Sequence, residues 1–231
     1  MRPKGVLIDC GGTLLDELSY VTRKGNEWLL ARAARNPAKI AIDQVMERAV
    51  IIDEHVVSRR DECHLETPWP MLTRLTYGYF GIEFDCDLED LELEFWKASM
   101  ETRPMTGAAE ALDELHRSGI PIGVVSNSIF RSGTLQYELA KRGLAEHLQF
   151  VITSAEYSVR KPGPLLFDLA VAKLARKPGD IWFVGDRLEI DVHGAKSAGM
   201  VPVWFQPPGD SSASCLSVAD WNEFLDLLRD A

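Results

Sequence analysis

Carboxylates are the first residues in this chain that could do chemistry. Asp9 ends the short apolar run Gly5-Val6-Leu7-Ile8 and is followed at once by Cys10-Gly11-Gly12-Thr13. An acid at the C-terminal edge of a buried strand stands where open α/β sheets bind ligands. Asp186, Glu189 and Asp191 fall within six residues after Phe183-Val184-Gly185. One N-cap suffices for a helix, so three acids exceed capping; placed beside Asp9 they make an oxygen-rich site suited to Mg²⁺. Val124-Val125-Ser126-Asn127 brings a hydroxyl and an amide to the end of another apolar run. Ser126, with backbone N–H groups at the start of a following helix, suits a phosphate. Arg160-Lys161-Pro162-Gly163-Pro164 sets a lysine before a proline turn, where it could neutralise both Asp9 and a phosphoryl group. Each segment taken singly also has a plain structural reading: Asp9 as a turn or cap residue, Ser126-Asn127 as turn chemistry, Lys161 as a solvated side chain.

These groups need a scaffold, and the pattern supplies one. From residue 104 onward, apolar runs at 120–125, 150–153, 181–184 and 201–205 read as strands. Helical segments at 108–118, 131–142, 164–175, 190–198 and 221–228 alternate with them, several closed by glycine. Residues 207–214 read as a loop. Such alternation implies an α/β fold with a parallel sheet and right-handed crossovers. Residues 17–102 differ. Helical spacing is expected at 28–34, 40–57, 71–80 and 88–100, with no convincing β alternation, so the stretch reads as an all-helical insert. The division expected is therefore 1–16 plus 103–231 for the α/β core and 17–102 for the insert.

Composition narrows the function. The 231 residues carry a net charge of −10 and no long basic run, which argues against nucleic acid or an anionic membrane as partner. No apolar run approaches the ~20 residues of a membrane span. The N-terminus lacks the apolar stretch of a secretory signal, and Asp9 leaves little room for one. Cys10, Cys63, Cys86 and Cys215 are scattered without a CxxC pair. That usage fits reduced thiols, hence a cytoplasmic protein, expected as a monomer or homodimer. Asp61-Glu62-Cys63-His64 lacks a second ligand pair at zinc spacing and reads as a solvated helix end.

In order and spacing, the four segments resemble the motifs of the haloacid dehalogenase superfamily, whose first motif is usually Asp-x-Asp-Gly-Thr. The resemblance covers nearly the whole chain, and the insert resembles the helical cap of subclass I members. It implies a Rossmann-like core with Asp9 as the nucleophile that forms a covalent intermediate. It implies Ser126, Asn127 and Lys161 around the substrate, with Lys161 neutralising charge, and Thr13 as a structural brace. Mg²⁺ would be held by Asp9, Asp186, Asp191 and the backbone carbonyl of Gly11. The activity implied is Mg²⁺-dependent hydrolysis of a small phosphorylated metabolite.

One position departs from the pattern. Gly11 stands where the family's second Asp protonates the leaving group and activates water, a role worth about 10²–10⁴-fold. Asp16, Glu17, His55 or His64 could substitute, the leaving group could need no proton, or the chain could work by binding. A regulatory binder on this fold is therefore an alternative, with Trp69, Tyr77, Tyr79 and Phe80 facing a partner or packing the cap. So is a non-phosphatase hydrolase. Dehalogenases carry a non-acidic residue at this position but usually lack the acidic fourth motif. Phosphonoacetaldehyde hydrolases need a cap lysine, and neither Lys24 nor Lys39 stands in a recognisable context for it. Arg23, Arg59 and Arg60 are candidate substrate contacts.

Overall fold

The structure, a computed structural model, describes residues 2–205 and 215–231; the loop read at 207–214 lies outside them. Strand β1 (Gly5–Ile8) is buried along its whole length and begins the main sheet. It leads through the Asp9–Leu14 turn into β2 (Leu15–Tyr20). Five helices follow: α1 (Thr22–Leu30), α2 (Ile42–His55), the single turn α3 (Arg60–Cys63), α4 (Trp69–Gly78) and α5 (Leu88–Ser99). Strand β3 (Met100–Pro104) pairs antiparallel with β2, so a two-stranded ribbon joins the helical segment to the rest.

The remainder alternates. Helix α6 (Ala108–Arg117) precedes β4 (Ile122–Ser126), and α7 (Ser132–Lys141) precedes β5 (Leu148–Thr153). The short α8 (Ser154–Tyr157) and α9 (Pro164–Leu174) lead to β6 (Ile181–Gly185); α10 (His193–Ser197) leads to β7 (Val201–Phe205). Then come β8 (Leu216–Val218) and α11 (Trp221–Asp230). The sheet order is β5-β4-β1-β6-β7-β8, and every pairing in it is parallel.

Pleating explains how both faces are covered. Successive side chains of a strand point to opposite faces. Val6 and Ile8 join the large core with α6 and α11, whereas Leu7 joins the second core with Phe167 and Leu174 of α9. A strand buried on both faces must be apolar throughout, which is why β1, β4 and β6 read as continuous runs.

Several expectations need correction. The helix expected at 28–34 is α1, which starts at Thr22 and ends at Leu30. Beyond it, the N–H groups of Ala34 and Arg35 bond to the Glu83 carbonyl, so this stretch pairs with a distant segment instead of continuing the helix. The insert is helical between Thr22 and Ser99, but its two ends are strands β2 and β3. Their six and five residues are half solvated and show no apolar alternation to read. The helix expected at 190–198 is a π turn (Leu188–Val192) followed by α10. Trp69 and Tyr77 are buried in the packing of the helical segment, while Tyr79 is exposed. Among the described residues, no helix is long and apolar enough to cross a membrane.

Candidate active site

Strand order reverses around β1: β4 and β5 lie on one side of it, β6 to β8 on the other. Ligands of open α/β sheets bind outside the carboxyl ends at such a switch point. A cavity of about 490 Å³ opens there, lined by Asp9, Gly11, Ser126, Asn127, Lys161, Asp186 and Asp191 together with residues of the ribbon and insert. Chain segments far apart in sequence thus meet because β1, β4 and β6 are neighbours.

Lys161 organises the floor. Its Nζ donates to Asp9 Oδ1 at 2.6 Å and to Asp191 Oδ1 at 2.7 Å, with all three residues buried. Burial opposes the ammonium, but Asp191 and Asp9 outweigh it and hold the Lys161 pKa above its ordinary value. Asp9 is pushed up to about 7, chiefly by burial; Lys161 opposes that rise, and Asp191 and Asp186 add to it. Burial and then Asp191 also raise Asp186. A buried cluster of three acids and one lysine is short of positive charge.

One oxygen of each acid, Asp9, Asp186 and Asp191, lies within 4.8 Å of the others. Asp186 Oδ1 is buried with no hydrogen-bond partner among the described residues. Both Asp191 oxygens are engaged, Oδ1 by Lys161 and Oδ2 by the Arg187 N–H at 3.1 Å. Hard oxygen donors with one buried and unpartnered suit a divalent cation such as Mg²⁺. Glycines permit this crowding. Gly12 has φ +74°, and a Cβ there would stand 2.5 Å from Asp186 Oδ2. A Cβ on Gly185 would stand 2.5 Å from Asp191 Cγ.

Asn127 fastens the lysine loop: its Nδ2 donates to the Lys161 carbonyl at 2.8 Å, and its Oδ1 accepts from the Lys161 N–H at 2.9 Å. Ser126, at the end of β4, is buried and lines the cavity. Thr13 is fully buried, and its carbonyl accepts from Trp221 Nε1 at 3.0 Å, so it braces the turn against α11.

Above this floor stand Asp16, Glu17, Tyr20, Arg60, Trp96, Met100 and Thr102. Among the described residues, the lining includes Arg60 but not Arg23, Arg59, His55 or His64; Arg23 pairs with Asp43 instead. The sequence reading did not single out Arg160. It is buried, lines the cavity next to Lys161, and pairs with the buried Glu66 and with Asp61. A buried arginine demands distant acids, but nothing local in the sequence says which. The Arg160 N–H also donates to the His64 carbonyl, and the Glu66 N–H to the Ser158 carbonyl, so the insert is stitched to the lysine loop.

Comparison with known proteins bears on the family to which the chain belongs. The family model of haloacid dehalogenase-like hydrolases matches residues 3–199. A ribulose-1,5-bisphosphate 5-phosphatase from Halopiger xanaduensis is 33% identical over 122 residues, 52% of this chain and 50% of that protein. The chain thus spans about half the length of that curated relative. A glyceraldehyde 3-phosphate phosphatase from Pyrococcus furiosus is 28% identical over 222 residues, 89% of this chain and 81% of that one. Among solved structures, a phosphatase of the superfamily from Thermococcus onnurineus superposes with a TM-score of 0.64 at 26% identity, covering 99% of this chain and 98% of that one. A 2-haloacid dehalogenase from Pseudomonas syringae, at 21% identity and a TM-score of 0.69 over the full length of both chains, shares the fold. Both the motifs and the matched span lead to one assignment: the chain belongs to the haloacid dehalogenase-like hydrolases.

Proposed function

We propose that the chain is an Mg²⁺-dependent phosphatase acting on a small phosphorylated metabolite through a phosphoryl group carried on Asp9. One observation carries this reading: the Lys161 ammonium lies between Asp9 and Asp191, beside an Asp186 oxygen with no partner among the described residues. A haloacid substrate needs no such acidic, cation-seeking floor. A phosphate ester does, because a carboxylate can attack a phosphoryl group only after the repulsion between the two anions is screened.

Asp9 and Asp186 would hold the ion, with Gly11 supplying its carbonyl and Asp191 acting through its hold on Lys161 and Arg187. When bound, Mg²⁺ supplies charge neutralisation and orients a phosphoryl oxygen. Lys161 keeps Asp9 oriented and adds positive charge. Ser126 offers its hydroxyl to a phosphoryl oxygen, and Asn127 holds the loop that carries Lys161. The Asp9 carboxylate attacks phosphorus, the bond to the leaving oxygen breaks, and water then attacks the phosphoryl group to release phosphate. We assign residues 17–102 as the cap over the cavity and 1–16 with 103–231 as the core. The unpaired cysteines support a cytoplasmic setting.

The test is phosphate release from a panel of small phosphate monoesters with Mg²⁺, run on wild type and Asp9→Asn. Release by the wild type and not by the variant is expected. No Asp9-dependent release from any ester would overturn the reading.

A further inference from the structure

The mechanism lacks a proton-transfer group, and the structure offers one. We propose that Glu17, at the start of the ribbon, performs the acid and base steps that Gly11 cannot. The proposal rests on the phosphatase reading above.

The geometry is specific. A Cβ built on Gly11 would meet Glu17 Oε1 at 3.0 Å and Glu17 Cδ at 3.7 Å. The Glu17 carboxyl therefore lies beside the point from which a side chain at position 11 would start. A side chain at position 11 would crowd the Glu17 carboxyl, so glycine at 11 leaves that carboxyl its place. Glu17 lines the same cavity as Asp9 and Lys161 and is exposed, so its carboxyl can exchange protons with water.

The other candidates fall away. Asp16 is held by Arg103, whose Nη2 stands 2.7 Å from its Oδ2. His55 and His64 do not line the cavity. The His55 Nδ1 is bonded to the Ile51 carbonyl on its own helix.

The register of the ribbon fixes the position of Glu17. Glu17 lies opposite Thr102 across the β2–β3 pair, and the pairing shifts between Glu17 and Ser19. Such an irregularity re-aims side chains next to active sites. Thr102 is itself pinned by a 2.7 Å bond from its hydroxyl to Glu138.

Protons balance over the cycle. As the Asp9 oxygen forms its bond to phosphorus, the bond to the leaving oxygen breaks and the Glu17 carboxylic acid protonates that oxygen. The Glu17 carboxylate then removes a proton from water as the water oxygen attacks phosphorus. The bond from phosphorus to Asp9 breaks, phosphate leaves, and both side chains return to their starting states.

The test compares 4-nitrophenyl phosphate, whose leaving group departs without a proton, with glycerol phosphate, whose alkoxide needs one. Wild type is expected to turn over both. Glu17→Gln is expected to lose about 10²–10⁴-fold on glycerol phosphate. With 4-nitrophenyl phosphate it should release one equivalent of nitrophenolate per enzyme and then stall, because water is no longer activated. Gly11→Asp in a Glu17→Ala background should recover steady turnover, the acid having returned by the other route. Steady glycerol phosphate turnover by Glu17→Gln at the wild-type rate overturns the assignment. So does an equal loss on both esters without a burst. A wild type inactive on both esters, while a wider panel shows Asp9-dependent release, overturns the pairing of Glu17 with these leaving groups. Inactivity across the whole panel overturns the phosphatase reading itself.

Discussion

Replacing Glu138 with glutamine probes how the helical segment is fastened to the sheet. Glu138 sits on α7 and is 2% exposed. Its Oε1 accepts from Thr102 Oγ1 at 2.7 Å and from Arg142 Nε at 2.9 Å. Its Oε2 accepts from Trp96 Nε1 at 3.3 Å and from Lys141 Nζ at 3.4 Å. Trp96 belongs to α5 and Thr102 to β3, so one buried carboxylate ties the core helix to two elements of the insert and ribbon. A hydrogen bond to a charged group contributes about 1.5–3 kcal/mol, and a buried donor left alone costs about 1–3 kcal/mol. Glutamine keeps one accepting oxygen and turns an N–H₂ toward groups that are themselves donors. The expected loss is about 2–4 kcal/mol, against about 3–5 kcal/mol when one partner of a buried ion pair is removed outright. At about 2–4 °C per kcal/mol for a chain of this size, Tm should fall by about 4–16 °C. The Lys4–Asp180 pair has a comparable 3.1 Å separation, but its lysine is exposed, and such a pair contributes about 0–1 kcal/mol.

The pH dependence separates the charge from the shape of the side chain. Burial alone would raise the Glu138 pKa, but the bonds from Thr102, Arg142 and Trp96 and the charge of Lys141 hold it below its ordinary 4.5. A carboxyl depressed in this way stabilises the fold above its unfolded pKa, and the contribution disappears as pH falls through the folded value. The difference between wild type and Glu138→Gln should therefore be full at neutral pH and should shrink once the pH drops below about 4. Urea unfolding followed by circular dichroism, at neutral pH and again in acid, measures both. A loss under about 0.5 kcal/mol at neutral pH, the scale of an ordinary surface substitution, would refute the argument. So would a gap that stays constant into acid.

Two further outcomes bear on the floor of the site. Gly12→Ala puts a Cβ into a φ of +74° and within 2.5 Å of Asp186 Oδ2; a loss of at least about 1–2 kcal/mol in thermal unfolding is expected, and an unchanged Tm would contradict the packing described. Mg²⁺ at a hundred times its dissociation constant should stabilise the wild type by about 2.7 kcal/mol. Calorimetry with and without Mg²⁺ should show that gain abolished in Asp186→Asn, and equal shifts in the two proteins would remove Asp186 from the cation site.

What could be read from the sequence follows from how locally each feature is determined. Strands β1, β4 and β6 announce themselves because burial on both faces forces an unbroken apolar run. The residues at their C-terminal ends can then be grouped, since parallel strands bring those ends to one edge. Strand β2 cannot be read this way. Leu15-Asp16-Glu17-Leu18-Ser19-Tyr20 becomes a strand only because Met100–Pro104 lies beside it, more than eighty residues on. The three-residue β8 is likewise defined by its neighbour β7. Arg160 is a site residue of the same kind: its burial depends on Glu66, and no spacing rule links the two. Glu17 was legible as one of several acids near the gap left by Gly11, but only the ribbon's path distinguishes it from Asp16.

The ribbon links the two arguments made above. Glu138 holds Thr102, Thr102 lies opposite Glu17, and the Glu17 carboxyl fills the volume beside Gly11. In the family's usual arrangement the acid sits two residues from the nucleophile, on the same turn, and its place is set by that turn alone. Here the acid is eight residues on, across a loop and on a strand whose partner enters from the far end of the insert. Its position therefore depends on how β3 is anchored to α7. A proton-transfer group placed this way moves with the ribbon, and its reach toward the leaving oxygen is coupled to the seating of the helical segment over the cavity. Loss of Glu138 should then slow the first transfer from alkoxide esters to Asp9 while sparing the first equivalent of nitrophenolate released from 4-nitrophenyl phosphate, even at temperatures where the protein remains folded, because it loosens the ribbon that carries the acid and leaves Asp9 and Lys161 in place.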